Sequence, residues 1–182
     1  EAHQAHDDTI YTLAHAFVGA DGSVSGASGL TMGSGWGVSG LSIASHPTQG
    51  ALAYSTTRAP SASNGEVFLV RVASDGALPD GVEGRLLSGD APREQHAPAT
   101  TWTGTDFFTA WQDSRNNPGL FFFPRSDIFG GRLSGAGDLL DDPQGLPIET
   151  SPVPETQPAV AAADGGALLV ASRLVGGDVG AL

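Results

Sequence analysis

The stretch Gln95-His96-Ala97-Pro98-Ala99-Thr100-Thr101-Trp102-Thr103-Gly104-Thr105-Asp106-Phe107-Phe108-Thr109-Ala110-Trp111-Gln112-Asp113-Ser114-Arg115, with Ser126-Asp127-Ile128-Phe129-Gly130-Gly131-Arg132-Leu133 after it, decides the fold. A short run at 99–102, a turn at Gly104-Thr105-Asp106, an aromatic run at 107–111 and an apolar run at 127–133 give three strands at hairpin spacing. A fourth follows the Gly135-Ala136-Gly137 turn, so the stretch reads as one four-stranded antiparallel unit.

The rest of the chain repeats that unit. Phe17-Val18-Gly19-Ala20-Asp21-Gly22-Ser23-Val24, Arg71-Val72-Ala73-Ser74-Asp75-Gly76-Ala77-Leu78 and Arg132-Leu133-Ser134-Gly135-Ala136-Gly137-Asp138-Leu139 superimpose without a gap, each after an apolar strand. Inner hairpins recur as well, at 41–44 with 51–54, at 99–102 with 107–111, and at 159–162 with 167–171. The repeat units run over residues 1–29 (a half), 30–86, 87–145 and 146–182 (truncated), within one domain. A period of about 50 to 60 residues belongs to propeller-blade repeats. The fold class expected is therefore all-β, a β-propeller segment of three to four four-stranded blades. Closed rings use about 4 to 8 blades, so the segment is expected to be incomplete or completed by another chain.

Composition agrees with a β fold and narrows the partners. Twenty-six glycines and twelve prolines, spread along 182 residues, cut the chain into short segments. No amphipathic helix longer than two turns is evident. The net charge is −12 and all eight basic residues are arginine, a surface that repels phosphate backbones and anionic lipid, so no nucleic-acid partner is expected. Cysteine is absent, which excludes disulfides and thiolate metal sites. No apolar run approaches the roughly 20 residues of a membrane span. The chain opens at Glu1 without a charged-then-apolar leader and reads as a processed or excised segment.

The pattern Gln-x-x-Pro, Gly-x-x-Phe-x-x-Ala-Trp-x-Asp-x-Arg, Asp-Ile-Phe-Gly-x-Arg-Leu, Gly-x-Leu-Leu-Asp stands in full over 95–141. It resembles the tandem repeats of bacterial and archaeal secreted or cell-surface β-propellers, loosely TolB-like. In the second unit Tyr54 takes the Trp111 position, Thr57 falls near Asp113 and Arg58 is kept; in the last, Ala171 takes the Trp position. The resemblance implies an extracellular, cell-surface or periplasmic protein. It leaves function open, because such repeats carry an architecture that serves many functions.

Trp111, Asp113, Arg115, Asp127 and Arg132 form the sharpest cluster. One reading is catalytic, with Asp113 or Asp127 as acid or base at the propeller axis of a glycosidase-like hydrolase. The other is structural: the two aspartates cap turns and pair with Arg115 or Arg132 within a blade. The structural reading is favoured, since these positions belong to the repeat and sites usually break it. The break comes at 116–125, where Leu120, Phe121, Phe122 and Phe123 lie between Pro118 and Pro124, next to Arg125. Those apolar residues are expected to meet a partner or to cover their own blade. Trp36, in Gly33-Ser34-Gly35-Trp36-Gly37, is a candidate to stack on a ligand. His3, His6, Asp7, Asp8 and His15 have only weak ligand spacing, and Asp138, Asp141 and Asp142 are weak Ca²⁺ candidates. Apart from Ca²⁺ no cofactor is expected, and serine nucleophile elbows, phosphate loops and His-Glu-x-x-His are missing.

The first expectation for function is a non-catalytic binding or scaffold module that meets a glycan or protein partner through blade-end loops. The alternatives are the extracellular hydrolase and an assembly subunit of a larger complex. Carboxylates converging on one cavity would favour the hydrolase; carboxylates each paired within a blade would favour the module. Completion by another copy, or by the remainder of a longer chain, is expected in either case.

Overall fold

The computed structural model describes residues 12–31, 36–58, 65–89, 91–116 and 126–173, the side chains of 26–31, 36, 37, 39 and 55–58 excepted. These residues form twelve strands and no helix: β1 (Thr12–Val18), β2 (Val24–Thr31), β3 (Trp36–His46), β4 (Gln49–Arg58), β5 (Gly65–Ala73), β6 (Arg85–Leu86), β7 (Gln95–Trp102), β8 (Asp106–Asp113), β9 (Asp127–Ser134), β10 (Leu146–Glu149), β11 (Glu155–Ala163) and β12 (Gly166–Arg173). They make two four-stranded antiparallel sheets, β3-β4-β5-β6 and β7-β8-β9-β10, and two hairpins, β1-β2 and β11-β12. Strand order follows chain order in each.

Register proves the repeat that the sequence suggests. Tyr54 lies opposite Phe68 across β4 and β5, as Trp111 lies opposite Phe129 across β8 and β9, and both Tyr54 and Trp111 are fully buried. The first strand of each unit carries a bulge at the same place, where Gly40, Ala97 and Gln157 take positive φ of 74°, 51° and 55°. A bulge adds local twist; here it recurs once per unit. The outer turns also match, with Gly22, Gly76 and Gly137 each donating N–H to the carbonyl of the residue three before, Gly19, Ala73 and Ser134. By these matches β1-β2 corresponds to the third and fourth strands of a unit, and β11-β12 to the first and second.

The sheets stack face to face. β7 lies against β3, β4 and β5, and β11 lies against β7, β8 and β9, so the first strands of successive units run side by side. Between the two four-stranded sheets, Ala51, Ala53, Val67 and Leu69 meet Phe107, Trp111, Phe129 and Leu133. A second cluster places Leu13 and Phe17 of β1 on Tyr54, Phe68 and Val70. β5 is buried on both faces as a result, which is why its sequence is a nearly unbroken apolar run.

The outer strands β5 and β9 are each pinned by an arginine clamp, a position held by Phe17 in β1. Arg71 and Asp80 share a bidentate pair, Nη2 to Oδ1 at 2.7 Å and Nε to Oδ2 at 2.8 Å, and the Arg71 amide also donates to Oδ2. Arg132 and Asp141, nine residues apart in the same way, repeat all three bonds. Three expectations are corrected here. Arg132 pairs with Asp141 rather than with Asp113 or Asp127; Thr56, opposite Glu66, is the residue that matches Asp113, rather than Thr57; and the fourth strand, β10, starts at Leu146, past the expected unit boundary at 145. Leu139 alone bridges Leu133 directly after the turn, because Asp141 folds back to the clamp before β10 begins.

Gly145 illustrates how tightly β10 closes over the core. It holds φ of 82°, and a Cβ there would stand 2.6 Å from the Trp111 ring. Gly145→Ala is expected to cost about 1–3 kcal/mol, through backbone strain and displacement of the indole, read as a lowered urea midpoint. An unchanged midpoint would contradict this packing.

Candidate functional site

Asp113 sits at the end of β8 with its side chain fully buried, and both of its oxygens are filled. Oδ1 accepts from the Arg115 amide and from Arg115 Nε, each at 2.9 Å; Oδ2 accepts from Trp111 Nε1 at 3.0 Å and from Arg115 Nη2 at 2.5 Å. The Arg115 guanidinium lies over the Phe129 ring, 4.1 Å from its centroid. Trp-x-Asp-x-Arg therefore closes on itself: a strand places Trp111 and Asp113 on one face, and the turn after β8 brings Arg115 back over them. Charge-assisted, bidentate bonds of this kind hold geometry strongly.

Asp127 lies directly across the ladder from Asp113, at the start of β9. Its Oδ2 accepts from Asn116 Nδ2 at 2.8 Å, which ties the end of the β8 turn to β9. Facing residues in an antiparallel pair approach closely, so the two carboxylates are neighbours. Neither lines the cleft found between β1 and the β3-β4 hairpin. The cleft found among the described residues, about 460 Å³, lies between Phe17 of β1 and the β3-β4 hairpin and is lined by Ile43, His46, Gln49 and Ser74. No carboxylate borders it. In its wall His46 Nδ1 accepts from the Thr48 amide, and the ring packs edge-on against Trp102 at 4.3 Å.

The acidic loop after β9 is also committed internally. Asp141 serves Arg132, Asp138 Oδ2 accepts from Ser134 Oγ, and Asp142 Oδ1 accepts from the Gln144 amide. Each is turn or clamp chemistry. Among the described residues no group of three or more His, Asp or Glu is placed to hold a metal. The Trp36 side chain, Leu120, Phe121, Phe122, Phe123 and Arg125 lie outside the described residues, as do His3, His6, Asp7 and Asp8.

Of two matched buried residues, Gln95 stood in the Gln-x-x-Pro signal and Glu155 escaped the sequence reading. Gln95 and Glu155 occupy the same place at the start of β7 and β11, two residues before the bulge. Gln95 donates from Nε2 to the Pro92 and Arg93 carbonyls, and Glu155 accepts from Ser151 Oγ and forms an ion pair with Arg173. Each fixes the chain where it crosses from one sheet to the next. Backbone contact reinforces the crossing, since the Glu155 amide donates to the Ser126 carbonyl and Ser126 Oγ donates to that of Glu155. The signal was present as Gln-x-x-Pro, but Glu in place of Gln hid the second copy.

A scan against protein-family models, a search of curated proteins and a search of solved structures each find no match to the chain.

Proposed function

We propose that the chain is a β-propeller segment that works as a non-catalytic binding or scaffold module, set outside the cytoplasm, with a protein or glycan as its partner. The observation that carries the reading is the closed Trp111-Asp113-Arg115-Phe129 knot. A carboxylate whose two oxygens are filled by four donors, beneath a bulky ring, has no lone pair to offer a substrate. Asp127 is bound to Asn116, and no carboxylate borders the cleft. Stacked sheets with adjacent first strands are what a propeller requires at its axis.

Asp127→Asn separates this from the hydrolase reading. The variant keeps an acceptor for Asn116 but cannot act as acid or base, so a hydrolase would lose most of its turnover. The module reading expects no hydrolysis of chromogenic glycosides by the parent chain, and expects parent and variant to bind any oligosaccharide or protein partner equally. Hydrolysis by the parent chain that disappears in Asp127→Asn would overturn it.

A further inference from the structure

Four places in the repeat are covered in one unit and bare in another. Arg71 is nine-tenths buried because its Nη1 donates at 2.6 Å to the Gly135 carbonyl, in the outer turn of the next sheet. Arg132, in the same clamp, is 43% exposed, and its Nη1 has no partner among the described residues. Val72 and Leu133 are 6% and 0% exposed against the preceding sheet; Val18, which matches them in β1, is 73% exposed. Ala110, covered by β11, is 0% exposed, whereas Val170 at that position of β12 is 61% exposed. Thr100 is 6% exposed against β3, and Ile43, its match in β3, is 74% exposed.

These bare places fit one another. β1-β2 supplies third and fourth strands, β11-β12 supplies first and second, and among the described residues the β12 and β1 edges are unpaired. Building on the propeller reading above, we infer that β12 takes β1 of a second copy as its neighbour, so that the two hairpins make one composite four-stranded sheet. The geometry of β8 with β9 then sets Ala171 opposite Ala14, as Trp111 stands opposite Phe129. Arg132 Nη1 meets the Ala20 carbonyl of the second copy, which occupies the Gly135 place in the outer turn. Val18 is covered by the β9-β10 face, and Val170 by the bare Ile43 surface of the other copy. Two copies of the described residues joined head to tail in this way hold four whole and two composite sheets, six in all, within the range of about 4 to 8 for closed rings. One copy of them closing on itself would hold three. Closure also removes both free edges, the usual liability of a sheet.

The chain has no cysteine, so an engineered pair is the only disulfide available. A14C and A171C are made in separate chains, refolded alone and together, and mildly oxidised. The expected product is a covalent pair of about twice 18.4 kDa from the mixture, and from neither chain alone. Arg132→Ala is expected to raise the dissociation constant of the cysteine-free pair about tenfold or more, read by sedimentation equilibrium. A folded monomer throughout, with no mixed disulfide, would overturn the second-copy inference and leave the stacked-repeat reading standing. An A14C-to-A14C disulfide would show β1 edges pairing out of repeat order, and would overturn both.

Discussion

Trp111→Ala is expected to lower the unfolding free energy by about 3–5 kcal/mol. The ring is fully buried between the two four-stranded sheets, touches the close-approach glycines Gly131 and Gly145, and carries one of the donors on Asp113. Truncation removes the apolar contacts, leaves a cavity that neighbouring strands cannot fill, and takes an N–H from a buried carboxylate. The urea midpoint should fall with the slope unchanged. A loss under about 1 kcal/mol would place Trp111 at an open surface and remove the reason for the knot. Tyr54, the same position one unit earlier, stacks on Phe68 at 5.5 Å and donates to the Glu83 carbonyl, so its loss should be of the same order.

The second large effect falls on the clamp. Asp80→Ala is expected to cost about 3–5 kcal/mol, because it strips the partner from a buried guanidinium that also bridges two sheets. In the isolated single chain, Asp141→Ala removes the matching carboxylate from Arg132, whose head is well exposed there, and should cost under about 1 kcal/mol. The same chemistry thus gives unequal effects, decided by burial. Thermal or urea unfolding of the two variants reads the difference directly; equal losses would contradict it. The Asp80 bonds hold the Arg71 pKa above its ordinary value. A cation with a raised folded pKa contributes stability that is complete below the unfolded pKa and lost only as pH rises through the folded one. For arginine that window is strongly alkaline, so the clamp should not weaken between pH 5 and pH 8, roughly the range where proteins are usually most stable.

Much of the fold was legible because its turns obey local rules. Gly22, Gly76 and Gly137 sit where φ is positive, and an Asp or Ser within each turn supplies a local turn bond, so three equivalent turns stood out without any tertiary information. The bulges were hidden because two of their three positive-φ residues, Ala97 and Gln157, are types that seldom adopt that region. The clamp was written plainly as Arg71 with Asp80 and Arg132 with Asp141, nine apart each time, yet Asp141 read as a weak Ca²⁺ candidate and Asp80 did not stand out. Only the backfolding of the chain after the outer turn brings each to its arginine. In the candidate site, the pairing of Asp113 with Arg115 was legible from their spacing of two. The link from Asp127 to Asn116 was not, since it depends on how the loop after β8 returns to β9.

Units from one chain stack with their first strands side by side. Spin labels at Thr48→Cys and Asp164→Cys, exposed at matching inner turns of the first and third of three successive sheets, test it by pulsed electron resonance. Sheets pack about 10 Å apart. With doubly labelled chains diluted into an excess of unlabelled chain, so that only distances within one chain are read, stacked units give one narrow distance on the order of 20 Å before allowance for the label arms, as two sheet spacings require. A broad distribution, or one centred beyond roughly twice that value, would mean that the units are strung out rather than stacked, and would contradict the account.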